Sequence, residues 1–290
     1  MKTKHLIFSS ILVGALSISS VQAQGVYMGI GGGYGFAAGK QSFFDDYKTT
    51  VTTTSTSQTV TSHPFSLGKG INTGLYAGYM FNKNIGAELG IGYLIGSKNV
   101  FTDENINTST FPSSSKTEMT WKGRMIRLVP TIRMTAGEKK LQPFMKAGLI
   151  MGVGGRVYDD THTESTSSGT STVTDESWEY YGGMSLGFHG AIGVNFMVND
   201  KIGIFGEVAG NYQNFAMKKG SMTKYTVDGV DQMASMDTYD KEIEFVDSYT
   251  YNSSSPPNVN QPDQSTKFFM PFSSIGVNLG LHISFGGKAE

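Results

Sequence analysis

Alternation with a period of two governs this chain. From Ser274 to Phe285, Ile275, Val277, Leu279, Leu281, Ile283 and Phe285 hold one parity, and Ser274, Gly276, Asn278, Gly280, His282 and Ser284 hold the other. Strand side chains point alternately to opposite faces, so such a run builds a sheet with one bulky apolar face and one small, polar face. It covers about a dozen residues, where an ordinary strand has about 5–6. The same pattern recurs over Val26–Phe36, Ile71–Phe81, Ile85–Ile95, Met119–Met134, Leu141–Val153, Met184–Val198 and Ile202–Tyr212. Eight long alternating strands are expected.

The connections between them sort by length. Asn82-Lys83-Asn84, the segment from Ala136 to Lys140, and Asn199-Asp200-Lys201 are short and rich in turn formers. The segments 38–68, 97–118, 158–180 and 218–266 are long. Short and long strictly alternate, so all long connections leave one end of the sheet and all tight turns the other. A transmembrane barrel has this layout, with short periplasmic turns and long outer loops. Every backbone polar group in lipid needs an internal partner, so a spanning sheet must close. The expected fold is therefore all-β: a closed antiparallel up-and-down transmembrane barrel of eight strands. The bulky parity faces lipid, and the small parity faces a narrow, side-chain-filled interior. Tyr34, Phe36, Tyr79, Phe81, Phe196 and Tyr212 lie near strand ends, as interfacial girdles require. Gly, 37 of 290 residues, is well above its usual share of about 7% and supplies much of the inward parity. A soluble carrier would need its bulky parity inside, because these small residues cannot pack a core.

The N-terminus reads as an export signal. Lys2 and Lys4 precede an apolar run from Leu6 to Ile18, and Val21-Gln22-Ala23 follows as a cleavage site. This divides the chain into a signal peptide, 1–23, and one barrel domain, 24–290. Cleavage after Ala23 leaves 21 basic and 24 acidic residues, a net charge of −3. That balance argues against a nucleic-acid binder. Absence of Cys argues against a disulfide scaffold and a lipid-anchored cysteine.

These features together resemble the eight-stranded outer-membrane barrels of the OmpA/OmpX/OmpW type and the related barrel domains of Bacteroidetes-type bacteria. The resemblance rests on the signal peptide, the Gly-rich strand Val26–Phe36, and the turn-strand units Asn82-Lys83-Asn84-Ile85-Gly86-Ala87-Glu88 and Asn199-Asp200-Lys201-Ile202-Gly203. It spans the whole mature chain. It implies location in the outer membrane, contact with its lipid and lipopolysaccharide, and insertion by the barrel assembly machinery. The terminal strand ending at Phe285 resembles the assembly signal, although Gly286–Glu290 follow it. No wall-anchoring domain is implied.

Parity places Glu88, Arg127, Arg133, Lys146, His189, Asn195, Glu207, Asn278 and His282 inside. A buried charge is costly unless paired. Glu88 and Glu207 are therefore expected to form a structural network with Arg127, Arg133 or Lys146. A narrow conduction path is the functional alternative. No catalytic, cofactor-binding or metal site is expected. His63 and His162 fall in loops, and Asp159-Asp160-Thr161-His162-Thr163-Glu164 reads as a solvated segment rather than a metal or acid–base cluster. The glycines of Gly29–Gly35 sit on a strand without the following helix of a nucleotide site.

Segment 49–62 holds 11 Ser or Thr in 14 residues, and 108–117 and 161–174 are similar. Composition predicts polar, flexible loops unable to bury a core, suited to an extracellular ligand. Lys224–Val227 and Glu242–Tyr251 read as a hairpin above the membrane. Asp240, Glu242, Glu244 and Asp247 deny it the apolar face that two further spanning strands would need. The expected function is a structural or surface-interaction barrel acting through its long loops. The alternative is porin-like or OmpW-like passage of small or hydrophobic molecules.

Overall fold

The computed structural model describes residues 25–38, 45–137, 140–250 and 256–285. The export signal with its cleavage site, and the tail 286–290, lie outside them. Within these limits the chain is all-β, in one sheet of seventeen strands. The strands are β1 (Val26–Ala37), β2 (Asp45–Val51), β3 (Thr56–Ser62), β4 (Gly70–Met80), β5 (Ile85–Gly96), β6 (Asn99–Asn107), β7 (Ser113–Thr135), β8 (Leu141–Ser167) and β9 (Thr170–Tyr181). They continue as β10 (Ser185–Met197), β11 (Ile202–Ala216), β12 (Lys219–Val227), β13 (Val230–Asp231), β14 (Glu242–Val246), β15 (Asp263–Thr266), β16 (Phe269–Pro271) and β17 (Ser274–Ser284).

Eight of these pair antiparallel in a series that returns to its start. β1 pairs β4, β4 pairs β5, β5 pairs β7, and β7 pairs β8. β8 then pairs β10, β10 pairs β11, β11 pairs β17, and β17 returns to β1 from Tyr27↔Ser284 to Ala37↔Ser274. The eight segments with sequence alternation supply these eight strands. Their register keeps parity, as Ile30↔Leu281 and Ile30↔Leu75 illustrate. The bulky parity consequently covers the outside. Leu75, Phe188, Ile192 and Leu279 are each at least 60% exposed. A continuous belt of this kind is far larger than the isolated apolar patches of a soluble monomer. Tyr34, Phe36 and Tyr212 lie toward one rim of the belt, and Tyr79, Phe81 and Phe196 toward the other, all exposed.

The long connections differ from expectation. The Ser/Thr-rich tracts are strands, not flexible loops. β7 and β8 run well past the belt and stay paired as far as Ser113↔Ser167. On one side β6, β2 and β3 add to them, and on the other β9, β12, β14 and β15. Two causes combine. Thr and Val favour extended backbone, and the protruding ladder of β7 and β8 offers edges on which neighbours can pair. A bulge between Arg124 and Ile126 marks the departure from the belt. Its partner side holds Gly154 at φ +63°, in the left-handed region that favours glycine. β14 pairs with Lys219–Ser221 of β12 and lies outside the eight-strand series.

These connections also bury a core. Phe65, Leu67, Leu94, Phe101, Trp121, Met125, Val157, Phe215, Met217, Phe245, Met270 and Phe272 form one cluster. It sits across the mouth of the eight-strand ring, on the side of the long connections. Two short segments, around Phe65–Leu67 and Met270–Phe272, zip over that mouth. Leu67 N–H donates to the Pro271 carbonyl at 2.9 Å, and Ser66 Oγ donates to the Ser273 carbonyl at 2.6 Å. Each fully buried Leu, Met or Phe contributes about 1.5–3 kcal/mol.

Candidate functional site

Below this apolar plug the interior is polar. Glu88 on β5, Arg133 on β7, Lys146 on β8 and Glu207 on β11 meet at its centre. Arg133 and Lys146 are direct cross-strand partners. Like charges in that relation repel, and Glu88 resolves the conflict by bridging them. Its Oε2 lies 3.2 Å from Arg133 Nη1 and its Oε1 lies 2.9 Å from Lys146 Nζ. Lys146 Nζ is also 3.1 Å from Glu207 Oε2, and Glu207 Oε1 accepts from Asn278 Nδ2 at 3.0 Å. The four charged side chains are at most 8% exposed. Two cations balance two carboxylates.

Aromatic rings enclose this network, each over an inward glycine of a neighbouring strand. A Cβ on Gly78 would strike Tyr27, one on Gly29 would strike Tyr76, one on Gly193 would strike Phe144, and one on Gly280 would strike Phe205. The inward glycines are seats for rings. The Arg133 guanidinium lies 4.1 Å from the Phe144 ring centroid, and Lys146 Nζ lies 4.8 Å from that of Tyr76. Tyr76 Oη and His282 Nδ1 are 3.1 Å apart, and His189 Nδ1 and Asn211 Oδ1 are 2.8 Å apart.

Arg127 does not join the network. It lies nearer the plug, 4% exposed, with three neutral acceptors. Nε donates to Gln213 Oε1 at 3.1 Å, Nη1 to Asn72 Oδ1 at 2.8 Å, and Nη2 to the Phe272 carbonyl at 3.2 Å. The expectation that Arg127 pairs with a carboxylate is corrected. Gly92 pairs it on β5, so Arg127 sits four residues along β7 from Thr131, the partner of Glu88, beyond the reach of that carboxylate. Asn195 is also buried inside. Phe285 is exposed on the belt, and its N–H donates to the Val26 carbonyl.

A cavity of about 150 Å³ lies between network and plug, with Arg127, Thr131, Lys146, Glu88, Glu207 and His189 among its lining. It exists because Gly90 and Gly92 leave the wall beside Arg127 bare. A Cβ on either would meet nothing closer than 3.4 Å.

Above the belt, the run Asp159–Glu164 alternates along β8 and divides between two faces. Asp159 packs inward, paired with Trp121 and Trp178. Burial, with Glu176 and Asp160 adding, pushes its carboxyl up to about 7. His162 points outward to Asp175 at 2.6 Å and Glu164 at 3.3 Å. Hydrogen bonds from His162 and Lys224 hold Asp175 down at about 2, and those carboxylates raise His162. Among the described residues no three such side chains converge as metal ligands.

Sequence reasoning misses the plug. The available signal is the bulky apolar residues interrupting polar connections, Phe65-Ser66-Leu67 and Phe268-Phe269-Met270-Pro271-Phe272.

No curated protein matches the chain. The family model for the outer membrane protein beta-barrel domain matches residues 8–235. With most of its length matched and an apolar belt outside a polar interior, this chain belongs to the outer membrane protein beta-barrel domain family.

Proposed function

We propose that the eight-strand series is a closed transmembrane barrel with an occluded lumen, and that the protein acts at the cell surface through the β-structure above it. The tight turns face the periplasm and the long connections face outward. One observation carries this reading. The lumen is shut twice, by the Glu88–Arg133–Lys146–Glu207 network and by the plug around Phe272, while the outer strands form an ordered sheet. A sheet with every residue of Thr56–Ser62 exposed suits recognition of an extracellular ligand better than conduction. The inner polar network serves to satisfy its own charges and fix the barrel. No catalysis is assigned, since His189 and His282 are engaged by Asn211 and Tyr76. Outer-membrane lipid with lipopolysaccharide surrounds the belt. The barrel assembly machinery reads the terminal strand at Phe285, after export and cleavage following Ala23.

A second reading, passage of small or hydrophobic molecules, is favoured by one feature. A groove of about 580 Å³ opens at the outward-facing Gly190 and Gly210, flanked by Phe188, Tyr212 and Ile275. His189, Asn211 and Ser274 line both this groove and the internal cavity. Ionic conductance of the refolded protein in a planar bilayer separates the readings. The occluded barrel gives no steps above background. Steps altered by Glu88→Gln or Arg133→Gln put passage first.

A further inference from the structure

We propose that the lumen cavity is a binding site for a small monovalent anion, of the chloride or bromide class, held at its Arg127 end. Charge balance is the first ground. The inward charges of the eight ring strands are Glu88, Glu207, Arg127, Arg133 and Lys146. The two carboxylates are taken by Arg133 and Lys146. Arg127 is left as an uncompensated buried cation, and among the described residues no carboxylate pairs with it. An isolated charge out of water is costly, and proteins pair or neutralise it.

Hydrogen-bond count is the second ground. A guanidinium carries five N–H donors. Three are used, on Asn72 Oδ1, Gln213 Oε1 and the Phe272 carbonyl. Both amides turn their oxygens to Arg127, which leaves Gln213 Nε2 buried without an acceptor. Donors are in surplus around Arg127, and the missing component is an acceptor. Thr131, 6% exposed, lines the same cavity with an unpartnered hydroxyl.

Space is the third ground. A volume of about 150 Å³ exceeds the roughly 30 Å³ share of one water several-fold. It admits a halide. The cavity opens beside Arg127, where its cross-strand partner Gly92 and the nearby Gly90 carry no side chain.

The inference rests on the reading of the lumen as closed, which conductance reports separately. The full chain is refolded in sodium bromide and crystallised. The site predicts an anomalous bromide peak in the lumen beside Arg127. In a second measurement, unfolding in urea is compared after refolding in sodium chloride and in sodium gluconate of equal ionic strength. Unfolding about tenfold slower in chloride is expected once chloride exceeds its dissociation constant about tenfold. Arg127→Met should abolish the difference. Should that variant not fold, Gly90→Val fills the cavity with Arg127 in place and should abolish it as well. A lumen without bromide density, or equal rates in the two salts for the unaltered chain, overturns the proposal. Conductance steps combined with bromide density would overturn only the closed lumen.

Discussion

Arg127 holds the plug from below: its Nη2 donates to the carbonyl oxygen of Phe272 at 3.2 Å, from a side chain rooted in the polar lumen. The polar interior and the apolar mouth are thereby one structure. Loss of either side should be felt by the other.

Phe272→Ala tests that coupling. Phe272 is fully buried in the plug and packs its ring against Phe215 at 5.8 Å between centroids. Truncation of such a residue costs about 3–5 kcal/mol. Urea unfolding should show that loss. Bilayer recordings should still show no steps, because the Glu88–Arg133–Lys146–Glu207 network below the plug is left intact.

Lys146→Met should be among the most damaging changes inside the barrel. It leaves Glu207 without a cation and Glu88 with only Arg133. Breaking a buried pair from one side costs about 3–5 kcal/mol. The double change Lys146→Met with Glu207→Gln should recover part of this in the same unfolding assay. A double variant no more stable than the single one contradicts the pairing.

Two inward glycines should respond oppositely to alanine. At Gly33 a Cβ would overlap the Val277 carbonyl oxygen, so backbone must move. At Gly90 the nearest atom to a Cβ would be 3.6 Å away, on Val129. Gly33→Ala should destabilise by at least 1 kcal/mol, as overpacking does. Gly90→Ala should be neutral or stabilise by about 0.5–1 kcal/mol, because alanine loses less backbone entropy in a strand.

The outer sheet should weaken as pH rises. Asp159, above the belt, has its carboxyl pushed up to about 7 by burial from an ordinary 3.8. The folded state therefore binds the proton more tightly than the unfolded state. Its contribution is fully present below about pH 4 and is lost as pH rises through about 7, with a slope of up to about 1.4 kcal/mol per pH unit. Proteolysis of the outer sheet should be faster at pH 8 than at pH 5. Asp159→Asn should flatten that difference.

His162 and Asp175 supply an opposite-edged window. His162 is raised by its carboxylate partners, so its share is present below its ordinary value near 6.5 and lost as pH climbs through the raised value. Asp175, held at about 2, loses its share only as pH falls toward 2. The pair is exposed, so screening keeps the effect small. An NMR titration should place His162 above 6.5, and Asp175→Asn should lower it toward that value, with Glu164 still raising it.

The ring strands were legible because a period of two carries its own test. Leu279 and Gly280 differ in size, and a one-residue slip would exchange every face. Glu88, Arg133, Lys146 and Glu207 could be placed inside by parity alone. Parity could not say which cation each carboxylate meets, since that depends on the heights of residues on strands far apart in sequence. Arg127 shows the limit: it has the inward parity but lies too far along β7 from Glu88. The outer sheet was less legible, because Thr and Ser in 49–62 and 161–174 carry no apolar contrast between faces. Their pairing is decided by the edges of β7 and β8 rather than by any pattern within them.

By itself the sequence determined that eight long strands would turn bulky residues one way and small residues the other, because side-chain alternation is a local property of extended backbone. It also determined, through connection lengths, which end would carry the elaborated structure. Only the tertiary structure decided that Phe65, Leu67, Met270 and Phe272 are buried in one cluster, that Arg127 has no counter-charge among the described residues, and that a cavity remains beside Gly90 and Gly92. Those outcomes depend on which residues reach the same height inside one narrow ring, and that height is set by the stagger of strands from opposite ends of the chain, as Tyr27↔Ser284 pair at the closing seam.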